Sequence, residues 1–210
     1  MLFDRAVDIL EKRLVKPLPG LESHQKYMHM GRLKIRPTQP PPYVKKSAVL
    51  ILLYPSEANA YFPLILRPPY DGKHGGQMGL PGGKSEPGDE NLVRTALREA
   101  QEEIGIRAID VKVLGSLTEV YISVSNFLVY PVVGYLDYLP EFYPDDREVE
   151  RIYPTDIEDI IGSNDIARRE IDLHNQRVLV PGFAIQDSWV WGATSLILSE
   201  FSDVLKSPAT

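Results

Sequence analysis

The stretch TALREAQEEIGI, residues 95–106, sets Glu99, Glu102 and Glu103 close together on a helix that ends at a glycine. Like charges at helical spacing destabilise a helix, and the only cation within the stretch is Arg98. A helical wheel of about 3.6 residues per turn, with Leu92 at zero, separates the three carboxylates. Ala96, Ala100, Val93, Ile104 and Leu97 fall between about 40° and 140° and form an apolar stripe. Glu103 falls at about +20°, Glu99 at about −20° and Glu102 at about −80°. A solvated acidic face belongs opposite the stripe, at about −90°, and only Glu102 approaches it. Glu99 and Glu103 border the buried side, where an unpaired charge is costly. A fold that buries this stripe must therefore offset two carboxylates one turn apart. That is the spacing at which two side chains share an ion, and a hard divalent cation such as Mg²⁺ takes oxygen ligands of this kind.

A glycine-rich loop from Pro68 to Gly88 precedes the helix and holds seven of the chain's fifteen glycines. Gly82-Gly83, approached through Pro81, is a place where backbone comes close to another group. Asp89 is suited to cap the helix and Glu90 to favour its positive N-terminal end. Gly105 supplies the C-terminal stop.

Around this unit the pattern alternates. FDRAVDILEKRL, residues 3–14, has helical apolar spacing and is ended by Pro17 and Pro19-Gly20. Prolines 37 and 40–42 make the following segment extended. SAVLILLYP and YFPLILR read as strands joined by the polar tip Ser56-Glu57-Ala58-Asn59. IDVKVLGSL, FLVYPVVGYLDYL and EVERIYP continue as strands. Thr155 and Asp156 open a short helix, DIEDIIG. Short strands around Arg177 to Val180 precede a final helix from about Ser188 to Leu205. Strands on both sides of a central helix, with helices at each end, predict an α/β sandwich with a mixed central sheet covered on both faces. The expected organisation is an N-terminal helix and proline-rich basic arm over residues 1–44 and one main domain over 45–210.

With 43% hydrophobic and 25% charged residues, the chain has material for a sizeable core. No apolar run approaches the ~20 residues that span a bilayer, and the charged start lacks a signal-peptide core. The absence of cysteine excludes disulfides and thiolate chemistry, and the chain is read as cytoplasmic. A formal charge of −6 argues against nucleic-acid binding. Residues 24–46 nevertheless carry Lys26, Arg32, Lys34, Arg36, Lys45 and Lys46 and no acid. That arm reads as a solvated linker, or as a contact for a phosphorylated ligand or a second subunit in a homodimer.

GKSEPGDENLVRTALREAQEEIGI, from Gly83 to Ile106, resembles the signature of the Nudix hydrolases. The second half matches throughout, with Ala100 as the apolar residue after Arg98-Glu99. Arg98 lies fifteen residues after Gly83, one more than in the general pattern. Asp89 keeps the signature glutamate's spacing from Gly83, whereas Glu90 keeps its spacing from Arg98. The one-residue expansion is similar to the coenzyme A pyrophosphatase branch. So is LILRPPYDGKHGGQMGLPGG, with Arg67, His74, Gly76, Gln77 and Pro81-Gly82-Gly83 in register, and so is WGATSLIL from Trp191. The chain departs from that branch at Pro68, at Leu80 and at Gly72, which has Lys73 beside it.

The resemblance implies a Nudix fold with an N-terminal helical extension. It implies Mg²⁺ or Mn²⁺ held by Glu99, Glu102, Glu103 and the Gly83 carbonyl, with Arg98 orienting a carboxylate. Arg67, Lys73, His74, Gly76, Gln77 and Gly82 are the implied substrate contacts. The general base is a motif glutamate or an acid on a later loop, where Glu148 is the candidate. The implied reaction is hydrolysis of coenzyme A or acyl-CoA to 3′,5′-ADP and 4′-phosphopantetheine species. Other nucleoside diphosphates, such as ADP-ribose or a dinucleotide, are the alternative. A non-catalytic nucleotide-sensing domain is disfavoured because all three motif carboxylates are present.

Overall fold

The computed structural model describes residues 1–28, 40–69, 75–162, 166–173 and 176–207. Its centre is β1 (Lys45–Ser56), whose AVLILLY run is apolar at every position because both faces of the strand are covered. Ile51 and Leu53 point into one core, and Leu50, Leu52 and Tyr54 into the other. β1 pairs in parallel with β7 (Phe127–Tyr135) along one edge. Its other edge is shared end to end by two antiparallel strands. β2 (Asn59–Leu66) joins the C-terminal end through a two-residue turn at Glu57-Ala58, and β4 (Gly82–Lys84) joins the N-terminal end. β3 (Met78–Gly79) and β8 (Arg151–Asp156) add to β2, while β5 (Lys112–Ser116) and β6 (Val120–Ile122) add to β7.

Helices cover this mixed sheet on both faces, so the expected α/β/α sandwich is the architecture observed. α3 (Leu92–Ile104) lays Ala96, Leu97, Ala100 and Ile104 on one face. On the other face, α1 (Phe3–Arg13) contributes Phe3, Ala6, Ile9 and Leu10. It packs beside α5 (Ala193–Lys206), which brings Leu196, Ile197, Phe201, Val204 and Leu205. The short α2 (Leu21–Lys26) follows the Pro19-Gly20 break and also rests on α5. No helix among the described residues is long and apolar enough to cross a membrane.

Several boundaries differ from those expected. Thr155 and Asp156 belong to β8, and the helix begins later, as α4 (Glu158–Ile161). Asp156 still acts at its start, accepting the Glu158 N–H at 2.9 Å. Asn91 rather than Asp89 caps α3, its side chain accepting the Arg94 N–H at 3.0 Å. The final helix starts at Ala193, not Ser188. Ser188–Trp191 is instead β11, paired with β10 (Gln176–Ile185), because Trp and Val favour a pleated, half-buried surface. With β9 (Arg168–Leu173), these strands form a second, three-stranded sheet, longer than the short strands read near Arg177.

Candidate active site

The loop entering β4 determines the site. Gly82 has φ +148°, and a Cβ there would fall 2.3 Å from the Ala48 carbonyl oxygen and 2.5 Å from Val49 Cα. Glycine alone lets this backbone lie flat on β1. A Cβ on Gly83 would fall 2.3 Å from Glu99 Oε2. The Gly82-Gly83 peptide therefore sits directly against the carboxylates of α3. Gly82 N–H donates to Glu103 Oε2 at 2.6 Å.

Exposure along α3 follows the wheel. The Glu103 side chain is 1% exposed, Glu99 13% and Glu102 57%. Arg67, just past the end of β2, donates from Nη2 to the Gly82 carbonyl at 3.1 Å. The same nitrogen lies 3.0 Å from Glu103 Oε1. That oxygen is buried and lacks a properly aligned hydrogen bond. Burial pushes the Glu103 carboxyl up to about 7, against the opposing pull of Arg67 and the Gly82 N–H, with Glu99 and Glu148 adding repulsion. Glu99 is also raised, by burial first, while Arg98 pulls the other way.

Arg98 is the hub on the outer side. It grips Asp89 with two parallel bonds and donates to the Lys84 carbonyl at 3.1 Å. Its Nη1 lies 2.9 Å from Glu99 Oε1 and 2.9 Å from Glu102 Oε2. Asp89 also accepts the Glu86 N–H at 2.9 Å and the Thr95 hydroxyl at 2.9 Å, and the bonds from Arg98 first, then those from Glu86 and Thr95, hold its carboxyl far below the usual range. Glu90 is exposed and faces Arg94, at 3.8 Å. Of Asp89 and Glu90, Asp89 is thus the one that meets Arg98.

Glu148 lies on an exposed turn anchored on both sides of the site. Asp145 N–H donates to the Glu103 carbonyl at 3.1 Å, and Glu150 N–H to the Leu66 carbonyl at 2.8 Å. Gly76 and Gln77 are tied to the backbone of Arg67, through Gly76 N–H to the Arg67 carbonyl at 3.2 Å and Arg67 N–H to the Gln77 carbonyl at 3.1 Å. Lys73 and His74 lie outside the described residues. Sequence reasoning missed Thr95, whose one signal is a β-branched hydroxyl inside a helix. It also missed Asp145, which carries none.

Two neighbouring carboxylates beside peptide oxygens are the kind of donor set that a hard divalent ion takes. Among the described residues no three acidic or imidazole side chains converge into a ready cage, because Glu102 is turned out onto Arg98. Glu99 and Glu103, with the backbone of Gly82-Gly83 against them, give two carboxylates and peptide oxygens. Mg²⁺ is bound in this sparse way, keeping several waters and taking substrate phosphates as further ligands. The residues fit such an ion.

The NUDIX domain model matches residues 44–172, more than half of the chain. The chain belongs to the Nudix family. It is 35% identical over 130 residues to a protein of Pectobacterium atrosepticum named as an uncharacterized Nudix hydrolase, NudL, covering 62% of this chain and 67% of that one. The like-named protein of Yersinia pestis is 37% identical over 130 residues, covering 60% of this chain but only 63% of its own length. Among solved structures, a MutT/nudix family protein from Enterococcus faecalis superposes with a TM-score of 0.50 at 16% identity, over 87% of this chain and 71% of that one. This last likeness is one of fold.

Proposed function

We propose that this Nudix protein is a pyrophosphohydrolase that cleaves the diphosphate of coenzyme A or acyl-CoA, releasing 3′,5′-ADP and a 4′-phosphopantetheine species. The seating of Gly82-Gly83 against Glu99 and Glu103 carries the hydrolase reading. Arg67, Gly76, Gln77 and Pro81-Gly82-Gly83, in the order found in the coenzyme A branch, support the substrate reading.

Diphosphate hydrolysis places negative charge on the leaving phosphate, so the chief tasks are electrostatic stabilisation and positioning. Glu99 and Glu103 would hold Mg²⁺ or Mn²⁺, with a Gly83 backbone oxygen as a further ligand and Glu102 at the outer edge. The ion, when bound, offsets charge on the diphosphate. Arg98 keeps Glu99 and Glu102 oriented through its lock on Asp89. Arg67 and Gln77 line the approach for the anionic substrate. Glu148 takes the proton as water attacks phosphorus and the bridging P–O bond breaks, leaving the electron pair on the departing phosphate. Glu148 lies on the exposed turn whose backbone is tied to α3 by the Asp145 N–H to the Glu103 carbonyl at 3.1 Å, which suits a base drawn from the later loop.

Purified protein with Mg²⁺ or Mn²⁺ and a panel of coenzyme A, acetyl-CoA, ADP-ribose and diadenosine polyphosphates tests the reading. Appearance of 3′,5′-ADP is the expected result. Cleavage of ADP-ribose with coenzyme A intact would overturn the coenzyme A assignment.

A further inference from the structure

Arg67 makes an unusual ion pair. A guanidinium ordinarily meets a carboxylate with two parallel N–H···O bonds. Here Nη2 lies 3.0 Å from Glu103 Oε1, yet that buried oxygen has no aligned hydrogen bond. The same nitrogen's aligned bond goes elsewhere, to the Gly82 carbonyl at 3.1 Å. The other Glu103 oxygen is already satisfied by the Gly82 N–H. Arg67 thus gives Glu103 charge without a fitted bond, at a carboxylate that the hydrolase reading assigns to a metal. The two partners also differ in freedom. Glu103 is 1% exposed and fixed on α3, whereas the Arg67 side chain is 25% exposed and opens toward solvent. The backbone of Arg67 is held on both sides by Gly76 and Gln77, so a change of partner falls to its side chain.

We propose that Arg67 is an exchangeable counter-ion. It neutralises Glu103 in the metal-free protein and is released from it, toward the diphosphate, when a divalent ion is held there. This rests on the metal reading above. One cation thereby serves two states: it keeps a buried carboxylate from standing unpaired, which would be costly, and it reaches substrate only in a site already charged with metal. Metal loading and substrate binding are coupled through a single side chain. A rigid Arg67 that merely rivets the Gly82 carbonyl makes the opposite prediction, because its loss would then disorder the ligands.

Mn²⁺ affinity, read from the free Mn²⁺ signal in electron paramagnetic resonance, decides between them. Arg67→Gln is expected to bind Mn²⁺ several-fold more tightly than wild type and to show a larger rise in unfolding temperature on adding Mn²⁺. Arg67→Lys, which keeps the charge, is expected to stay near wild type. Unchanged or weaker Mn²⁺ binding by Arg67→Gln, with wild type binding normally, would overturn the exchange alone. No Mn²⁺ binding by wild type would overturn the metal reading beneath it. A second measurement needs no folded Gln variant. On titrating Mg²⁺ into wild type, the Arg67 Nε–H resonance, assigned by its loss in Arg67→Lys, should shift. An unmoved resonance while the Gly82 amide responds would refute the exchange.

Discussion

Arg98 and Asp89 meet through two parallel bonds, Nε to Oδ1 at 2.9 Å and Nη2 to Oδ2 at 3.0 Å, although nine residues separate them in sequence. The pair ties the loop after β4 to the middle of α3, and the remaining Nη1 faces Glu99 and Glu102. Asp89, rather than the neighbouring Glu90, makes this pair, and Glu90 and Asn91 lie between it and the first turn of α3.

From this pairing, Asp89→Asn should keep the fold but weaken the grip on Arg98 and let Glu99 drift. Misplacement by about 1 Å costs on the order of 10²-fold in turnover, and a loss of that size is expected. Glu90→Gln should leave turnover within about twofold, because the exposed Glu90 meets Arg94 at the surface rather than Arg98. Steady-state kinetics on the two variants check this. Equal losses in both would mean that Asp89 has no special role.

The adjacent glycines should fail differently when given a methyl group. In Gly83→Ala the new Cβ meets the far end of a flexible side chain, Glu99. The fold should survive while metal affinity falls about 10–100-fold. In Gly82→Ala the Cβ meets the backbone of Ala48 and Val49 at a positive φ, so stability should fall by about 2 kcal/mol or more. Gly88→Ala, with open space around it, is the control. Denaturant unfolding together with Mn²⁺ binding separates the three outcomes.

The layering and much of the site were legible in the sequence because they rest on periodicity and local steric demand. The wheel of α3 ordered Glu103, Glu99 and Glu102 by burial, and the Gly-Gly pair marked a close backbone approach. The acid that meets Arg98 was not legible, since counting from Gly83 and counting from Arg98 point to different residues. Only the folded loop, with Thr95 and Glu86 also bonded to Asp89, decides it. The β11 strand was lost for a related reason. SWVW followed by GATSLIL reads as one apolar run, and only pairing with β10 and the positive φ of Gly192 divide it into strand and helix. The contact of Arg67 with the Gly82 carbonyl and Glu103 follows from no helical or strand periodicity.

Replacing either inner carboxylate should separate activity from stability. Glu99→Gln and Glu103→Gln are each expected to lower turnover by about 100-fold or more, a barrier increase of about 2.7 kcal/mol. In metal-free buffer both should unfold at a temperature no lower than wild type, because carboxylate repulsion is relieved while the amide keeps an acceptor. Glu102→Gln, exposed and bound to Arg98, should cost less than about tenfold. Wild-type-like turnover in both inner variants would remove them from the catalytic set.

The remaining prediction concerns Glu200, fully buried on α5 and remote in sequence from the motif. It accepts from Gly20 N–H at 3.0 Å, Thr118 N–H at 3.1 Å and Thr118 Oγ1 at 2.7 Å, and pairs with His24 Nε2 at 3.0 Å. It thereby joins the α1–α2 turn, the β5–β6 connection and α5. Burial pushes its carboxyl up, but the bonds from His24 and Thr118 outweigh burial and hold it below the ordinary 4.5. A depressed folded value means that the stabilisation is complete above about pH 4.5 and disappears as pH falls through the lower folded value. Removing this acceptor leaves the buried Gly20 and Thr118 donors unsatisfied, at about 1–3 kcal/mol for each such group, so Glu200→Ala should lose about 3 kcal/mol at pH 7. The difference between wild type and variant should shrink steadily below pH 4.5. Urea unfolding of both proteins from pH 7 to pH 3 measures it, and a constant gap across that range would show that the charge of Glu200 contributes nothing.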